Sequence, residues 1–293
     1  MDQRYLFDDL PEPGPVYGLS PKPLRRWDGG HALLYFVLSA LISLLAAVAL
    51  VGVSGFYASI IVSEVAAFAL IPFLLRPLFD TGWMTWSRRP EVGRAFWLWC
   101  MAAVVSFAIV QSNLPVLLDR LWPIPKEQFE FFRKHLAAGS VSEFALLLFV
   151  AAIVPGICEE VAFRGLIHTG LRRSFGTNHA IVWGGAMFAL LHLNPWNFIG
   201  LWSFGALLGY LRERTGSIYP SIAAHVANNS LALVMFALQK PEDWETRPEF
   251  LPWYAVLPAG ALLVYAVIQL HRLTASTAAK GAPPQPIHSE PPT

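Results

Sequence analysis

Long, unbroken apolar runs are what most restrict the fold available to this chain. Residues 31–53 and 56–75 are the first two, each near the roughly 20 residues that a helix needs to cross a bilayer. Further runs follow at about 95–110, 144–172, 180–193, 198–211, 218–238 and 253–270. Within hydrocarbon every backbone N–H and C=O must find a partner inside the protein, so only helices and closed barrels span it. These runs are continuous and do not alternate, which selects helices. The expected fold class is all-α, a polytopic membrane helix bundle of about eight transmembrane helices.

Composition agrees. The chain is 55% hydrophobic and 14% charged, against about 25% charged in an average soluble domain. A net charge of +1 argues against a nucleic-acid partner and leaves the lipid bilayer as the first one. Arg76, Arg88, Arg89 and Arg94, then Arg212 and Arg214, mark cytosolic loops by the positive-inside rule. Glu242, Asp243, Glu245 and Glu249 fall in a loop assigned to the outside. Residues 1–30 read as a disordered cytosolic tail and 271–293 as a proline-rich cytosolic tail, around a bundle at 31–270. Residues 111–141 suit an amphipathic segment on the outer surface. The expected location is an integral membrane protein of a bacterial plasma membrane, both termini cytosolic. Cys100 and Cys158 lie in apolar sequence and read as inert buried thiols, not a disulfide framework.

Against this background ionisable residues inside apolar runs stand out, because each costs about 2.5–3.5 kcal/mol on insertion scales. Glu159 and Glu160 are adjacent, and Arg164 follows Glu160 by four positions. On a helix that spacing pairs Glu160 with Arg164, whereas Glu159 is turned by roughly 100° and points elsewhere. Glu159, without a partner in its own helix, is the better candidate for chemistry. If the fourth helix ended at Cys158, Glu159 would lie at the cytosolic face, far in depth from His192. Continuing the helix to Arg172 and Arg173, with Gly176 as its stop, brings Glu159 to mid-membrane. Pro155 is then expected to kink it.

Other polar intrusions are Glu64, to which no role attaches, His192 at the end of Phe188-Ala189-Leu190-Leu191-His192, and His225 with Asn229 four positions on, hence on one face. Gly52-Val53-Ser54-Gly55 matches the Gly-x-Ser-Gly pattern of rhomboid serine proteases, but at a span boundary it reads as a tight turn.

Taken in order, Glu-Glu-x-x-x-Arg at 159–164, Phe-x-x-x-His at 188–192 and His-x-x-x-Asn at 225–229 resemble the CAAX-protease and bacteriocin-processing family. Its members are intramembrane endopeptidases related to the type II prenyl-protein proteases. The resemblance covers about residues 140–240 and implies hydrolysis of a peptide bond in a membrane-associated or prenylated substrate. A carboxylate kept from water is a usable general base, so Glu159 is assigned to activate water, with His192 orienting it. His225 and Asn229 serve as oxyanion donors. Glu160 and Arg164 brace the helix, with Phe188 in a supporting position. No cofactor is preferred. The resemblance also admits a second scheme, in which Glu159, His192 and His225 hold a divalent metal such as zinc. Outside the protease class, a membrane immunity or transport protein is the alternative; polar groups confined to the second half weigh against a transporter.

Overall fold

The computed structural model describes residues 24–238 and 249–280. The acidic loop residues 242–245 and most of both proline-rich tails lie outside the described residues. The first element among the described residues is a two-residue strand, β1 (Arg25–Arg26), parallel to β2 (Phe79–Asp80). Helix α1 (Gly29–Ser54) is capped by Asp28, whose Oδ1 accepts from the His31 backbone N–H at 3.1 Å. At Gly55 the chain takes φ 82° and turns into α2 (Phe56–Leu75). Ser54 is exposed there, donating to the Leu50 carbonyl at 3.0 Å, as a turn residue would.

Helix α3 (Arg94–Gln111) continues into a short α4 (Asn113–Leu121), and α5 (Lys126–Leu136) follows as a separate amphipathic helix. Next comes α6, a continuous rod over Val141–Phe175. Helices α7 (Thr177–Leu191), α8 (Phe198–Thr215), α9 (Tyr219–Ala237) and α10 (Trp253–Lys280) complete the bundle.

Among the described residues, five helical stretches are long and apolar enough to cross a membrane: Gly29–Ser54, Phe56–Leu75, Arg94–Leu121, Val141–Phe175 and Trp253–Ala275. Helix α7 has 15 residues, α8 ends in Arg212, Glu213 and Arg214, and α9 is interrupted by His225, Asn228 and Asn229. Those features keep the three below the same standard.

Helix α6 sits at the centre of the bundle, packed against α1, α2, α7, α8 and α9. Helices α1 and α2 form an antiparallel hairpin, α7 pairs with α8, and α10 pairs with α3. The α7–α8 contact needs glycine: a Cβ on Gly205 would stand 2.8 Å from the Gly185 Cα, closer than real side chains come. By contrast α1 is only 6% buried over its most apolar stretch, so its outer face is left for lipid.

One end of the bundle is locked by ion pairs. Glu213 on α8 accepts from Arg172 at 2.9 Å and is bonded to His168 at 2.7 Å. Arg173 pairs with Asp80 at 2.9 Å and donates to the Trp27 carbonyl at 3.2 Å. This end corrects the expectation of a disordered tail through residue 30. Trp27 is buried and its indole N–H donates to the Leu166 carbonyl at 3.0 Å, so residues 24–30 are fastened to α6. At the other terminus α10 continues beyond Leu270 to Lys280.

Glu91 lies at this end, near Arg88, whose carbonyl accepts from Ser217 at 2.6 Å. Gly139 precedes α6 at the opposite end. A cysteine at Glu91 and one at Gly139 should therefore react with an impermeant thiol reagent from opposite sides of sealed vesicles. Labelling of both from one side would contradict a bundle that crosses the bilayer.

Candidate functional site

The site grows out of irregularities in α6. Pro155 has no N–H, so the Ala151 carbonyl one turn earlier loses its α-helical donor. The helix responds with a π-helical turn at Phe149–Ile153, resumes α geometry over Val154–Glu160, and widens again at Val161–Ile167. The expected kink at Pro155 thus takes the form of a π-turn, a feature found frequently at functional sites. Asn229 on α9 comes to the freed carbonyl, its Nδ2 3.5 Å from the Ala151 oxygen. Gly156 lets α9 come close: a Cβ there would meet the Val226 side chain at 2.6 Å. That approach carries the neighbouring His225 onto the two glutamates.

Glu160 is fully buried, and its Oε1 accepts two hydrogen bonds. Arg164 donates from Nη1 at 2.8 Å, as the four-residue spacing led one to expect, and His225 donates from Nδ1 at 2.9 Å. Because Oε1 of a carboxylate only accepts, the proton in the second bond sits on Nδ1. The other arm of the guanidinium, Nη2, donates to the Gly205 carbonyl on α8 at 2.8 Å. One arginine and one carboxylate therefore tie α6 to α8 and α9.

With Nδ1 committed, His225 turns Nε2 towards Glu159, 4.0 Å from Oε2. That gap is too long for a hydrogen bond and wide enough for a shared water or substrate atom. Glu159 is buried, and its Oε2 has no hydrogen-bond partner among the described residues. Glu160 Oε2 is likewise buried without a partner among the described residues, so the two adjacent carboxylates differ in the ion pair on Glu160 Oε1 and in the place of Glu159 on a cavity wall.

His192 caps the end of α7, where Leu193 takes a left-handed φ of 48° and stops the helix. The Nδ1 of His192 lies 2.9 Å from the Phe188 carbonyl. That acceptor places the ring proton on Nδ1 and leaves Nε2 free. Phe188 is buried between the two histidine rings, its centroid 4.7 Å from His192 and 5.4 Å from His225. The Arg164 guanidinium lies over the same ring at 4.9 Å, a cation–π contact.

Glu159 and His192 line one cavity of about 510 Å³, together with residues of α1 and α2. Glu64 lines it too. Sequence reasoning singled out Glu64 but could not place it, because only the packing of α2 on α6 brings it here. Both histidines spend Nδ1 on an oxygen acceptor and leave Nε2 free, an orientation that metal-ligating histidines share. Among the described residues, however, no three His, Cys, Asp or Glu side chains are grouped closely enough to hold a metal ion. The donor geometry does not fit a zinc centre in this arrangement.

Fold and site together describe an all-helical integral membrane protein with a buried carboxylate–histidine–arginine cluster beside a cavity. Residues 141–231 match the family model described as Type II CAAX prenyl endopeptidase Rce1-like. The resemblance carried by Glu159 to Arg164, Phe188 to His192 and His225 to Asn229 is borne out over this segment, which contains all three motifs. No curated protein and no solved structure matches the chain.

Removing Arg164 would leave the Glu160 carboxylate buried with half its support gone, a change that typically costs about 3–5 kcal/mol. Arg164→Ala should unfold at markedly lower temperature than the parent protein in the same detergent. Unchanged melting would mean that the pair is open to water.

Proposed function

We propose that this protein is an intramembrane endopeptidase in which Glu159 activates water against a peptide bond of a membrane-associated or prenylated substrate. The observation that supports it most is the asymmetry of the paired glutamates. Both carboxylates keep a buried, unpartnered Oε2 among the described residues, but the Oε1 of Glu160 is held by Arg164 and His225 away from the cavity, whereas Glu159 lies on the cavity wall.

In this reading Glu159 takes a proton from water while the nascent hydroxide adds to the substrate carbonyl. The Nε2 of His192, left free by the Phe188 carbonyl, accepts the water's other hydrogen and aims its lone pair. The tetrahedral oxyanion forms beside His225, whose Nε2 donates to it when protonated. Asn229 lies one turn along the same face of α9; one of its amide hydrogens is directed to Ala151 and the second is available to the oxyanion. When the C–N bond breaks, the proton held by Glu159 passes to the leaving amine and the carboxylate is regenerated. Each oxyanion donor is typically worth about 2.7–4 kcal/mol.

The cavity borders α1, whose outer face is open to lipid, so a substrate with an apolar anchor could enter sideways from the bilayer. The longer helices, with α7, α8 and α9 counted in, are read as eight crossings with both ends of the chain on the cytosolic side.

Glu159→Gln keeps shape and loses basicity. It should abolish cleavage of a membrane-anchored peptide by purified protein in nanodiscs, with melting temperature nearly unchanged. Full activity in that variant would remove Glu159 from the role. Asn229→Ala should lower kcat by roughly a hundred- to a thousandfold with little change in KM. Loss of stability without loss of kcat would assign Asn229 to the Ala151 carbonyl alone. Activity should also survive exhaustive chelation; one stoichiometric metal per active chain, measured by elemental analysis, would overturn the metal-free scheme.

A further inference from the structure

Glu64 is the one carboxylate of the cavity that the proposed reaction leaves unused. It stands at the end of an α-helical stretch, immediately before the π-helical turn Val65–Leu70 of α2. Its Oε2 is sealed from solvent and has no hydrogen-bond partner among the described residues. A buried carboxylate oxygen without a partner is costly, and it persists where a bound group supplies what the protein does not.

The charge of the cavity indicates what that group is. Glu64 and Glu159 both line it, the remaining walls are mainly apolar, and among the described residues no lysine or arginine contributes to its lining. The buried cation of the adjoining core, Arg164, has its two terminal nitrogens occupied by Glu160 and the Gly205 carbonyl. Among the described residues no lysine or arginine inside the chamber balances Glu64. A peptide whose scissile carbonyl rests at Glu159 must lead its neighbouring residues along the same cavity, past Glu64.

We propose that Glu64 is a specificity-determining residue, its carboxylate receiving a cationic side chain, lysine ammonium or arginine guanidinium, close to the scissile bond of the substrate. The inference rests on the endopeptidase reading and adds to it a preference for basic residues within an otherwise apolar, membrane-anchored peptide. A hydrogen bond to a charged group is worth enough to separate basic from neutral side chains by about tenfold or more.

The test uses the full chain in nanodiscs and paired lipid-anchored peptides. Each pair is identical except that lysine, scanned through about three positions on either side of the cleavage site, is replaced by isosteric neutral norleucine. The wild-type protein should cleave the best lysine peptide with kcat/KM about tenfold or more above its neutral partner. In Glu64→Gln that ratio should fall to within about twofold, and Glu64→Met should repeat the result if the glutamine variant folds poorly. Binding of the same pairs to Glu159→Gln, read by fluorescence anisotropy, supplies the ratio without turnover. It should show the lysine preference, which Glu159→Gln/Glu64→Gln should lose. Absence of cleavage by wild type would sink the endopeptidase reading, while the anisotropy ratio would still decide the role of Glu64. A lysine preference that survives loss of the Glu64 carboxylate, or no preference in either measurement, would overturn the inference.

Discussion

The Glu160 carboxylate, fully buried and accepting from Arg164 and His225 through a single oxygen, is the interaction on which the rest of this site depends. Taking a carboxylate and a guanidinium out of water costs several kcal/mol per ion, and their attraction repays it only when the geometry is good and the remaining donors are satisfied. Here the second arm of the guanidinium reaches the Gly205 carbonyl. The net contribution to stability of such a pair is modest; what it supplies is position. Helices α6, α8 and α9 are held in one register, and His225 is left with only Nε2 to present to Glu159.

Two adjacent carboxylates thereby acquire different surroundings, Glu160 in the ion-paired core and Glu159 on the wall of a cavity. Backbone irregularity makes room for this arrangement. Pro155 and the π-turns on either side of Val154–Glu160 rotate the helix locally, and Gly156 admits α9 to close contact. Phe188 then fills the space between His192, His225 and Arg164, so that the imidazoles are fixed by packing as well as by hydrogen bonds.

Much of this architecture was legible in the sequence because it depends on local spacing. Apolar run lengths marked the helices, and the four-residue interval of Glu160 and Arg164 foretold their contact. The need to bring Glu159 to the depth of His192 required α6 to continue to the arginines before Gly176, as it does. What could not be read depends on contacts between distant segments. The bond from His225 to Glu160 joins residues 65 positions apart, and nothing in the His-x-x-x-Asn spacing points at the second glutamate. Glu64 reaches the cavity only through the packing of α2 against α6. Trp27 fastens a polar segment that its composition assigned to a disordered tail.

The measurement that tests the central claim most directly needs no substrate. If Glu160 is a buried charge held by Arg164, its harm in the absence of that partner comes from the charge itself. Neutralising it in the same chain should then recover part of the stability. Thermal unfolding of Arg164→Ala, Glu160→Gln and the double variant, in one detergent at one pH, forms the cycle. The account predicts that the double variant melts above Arg164→Ala. Additive losses, with the double variant melting lowest of the three, would contradict it.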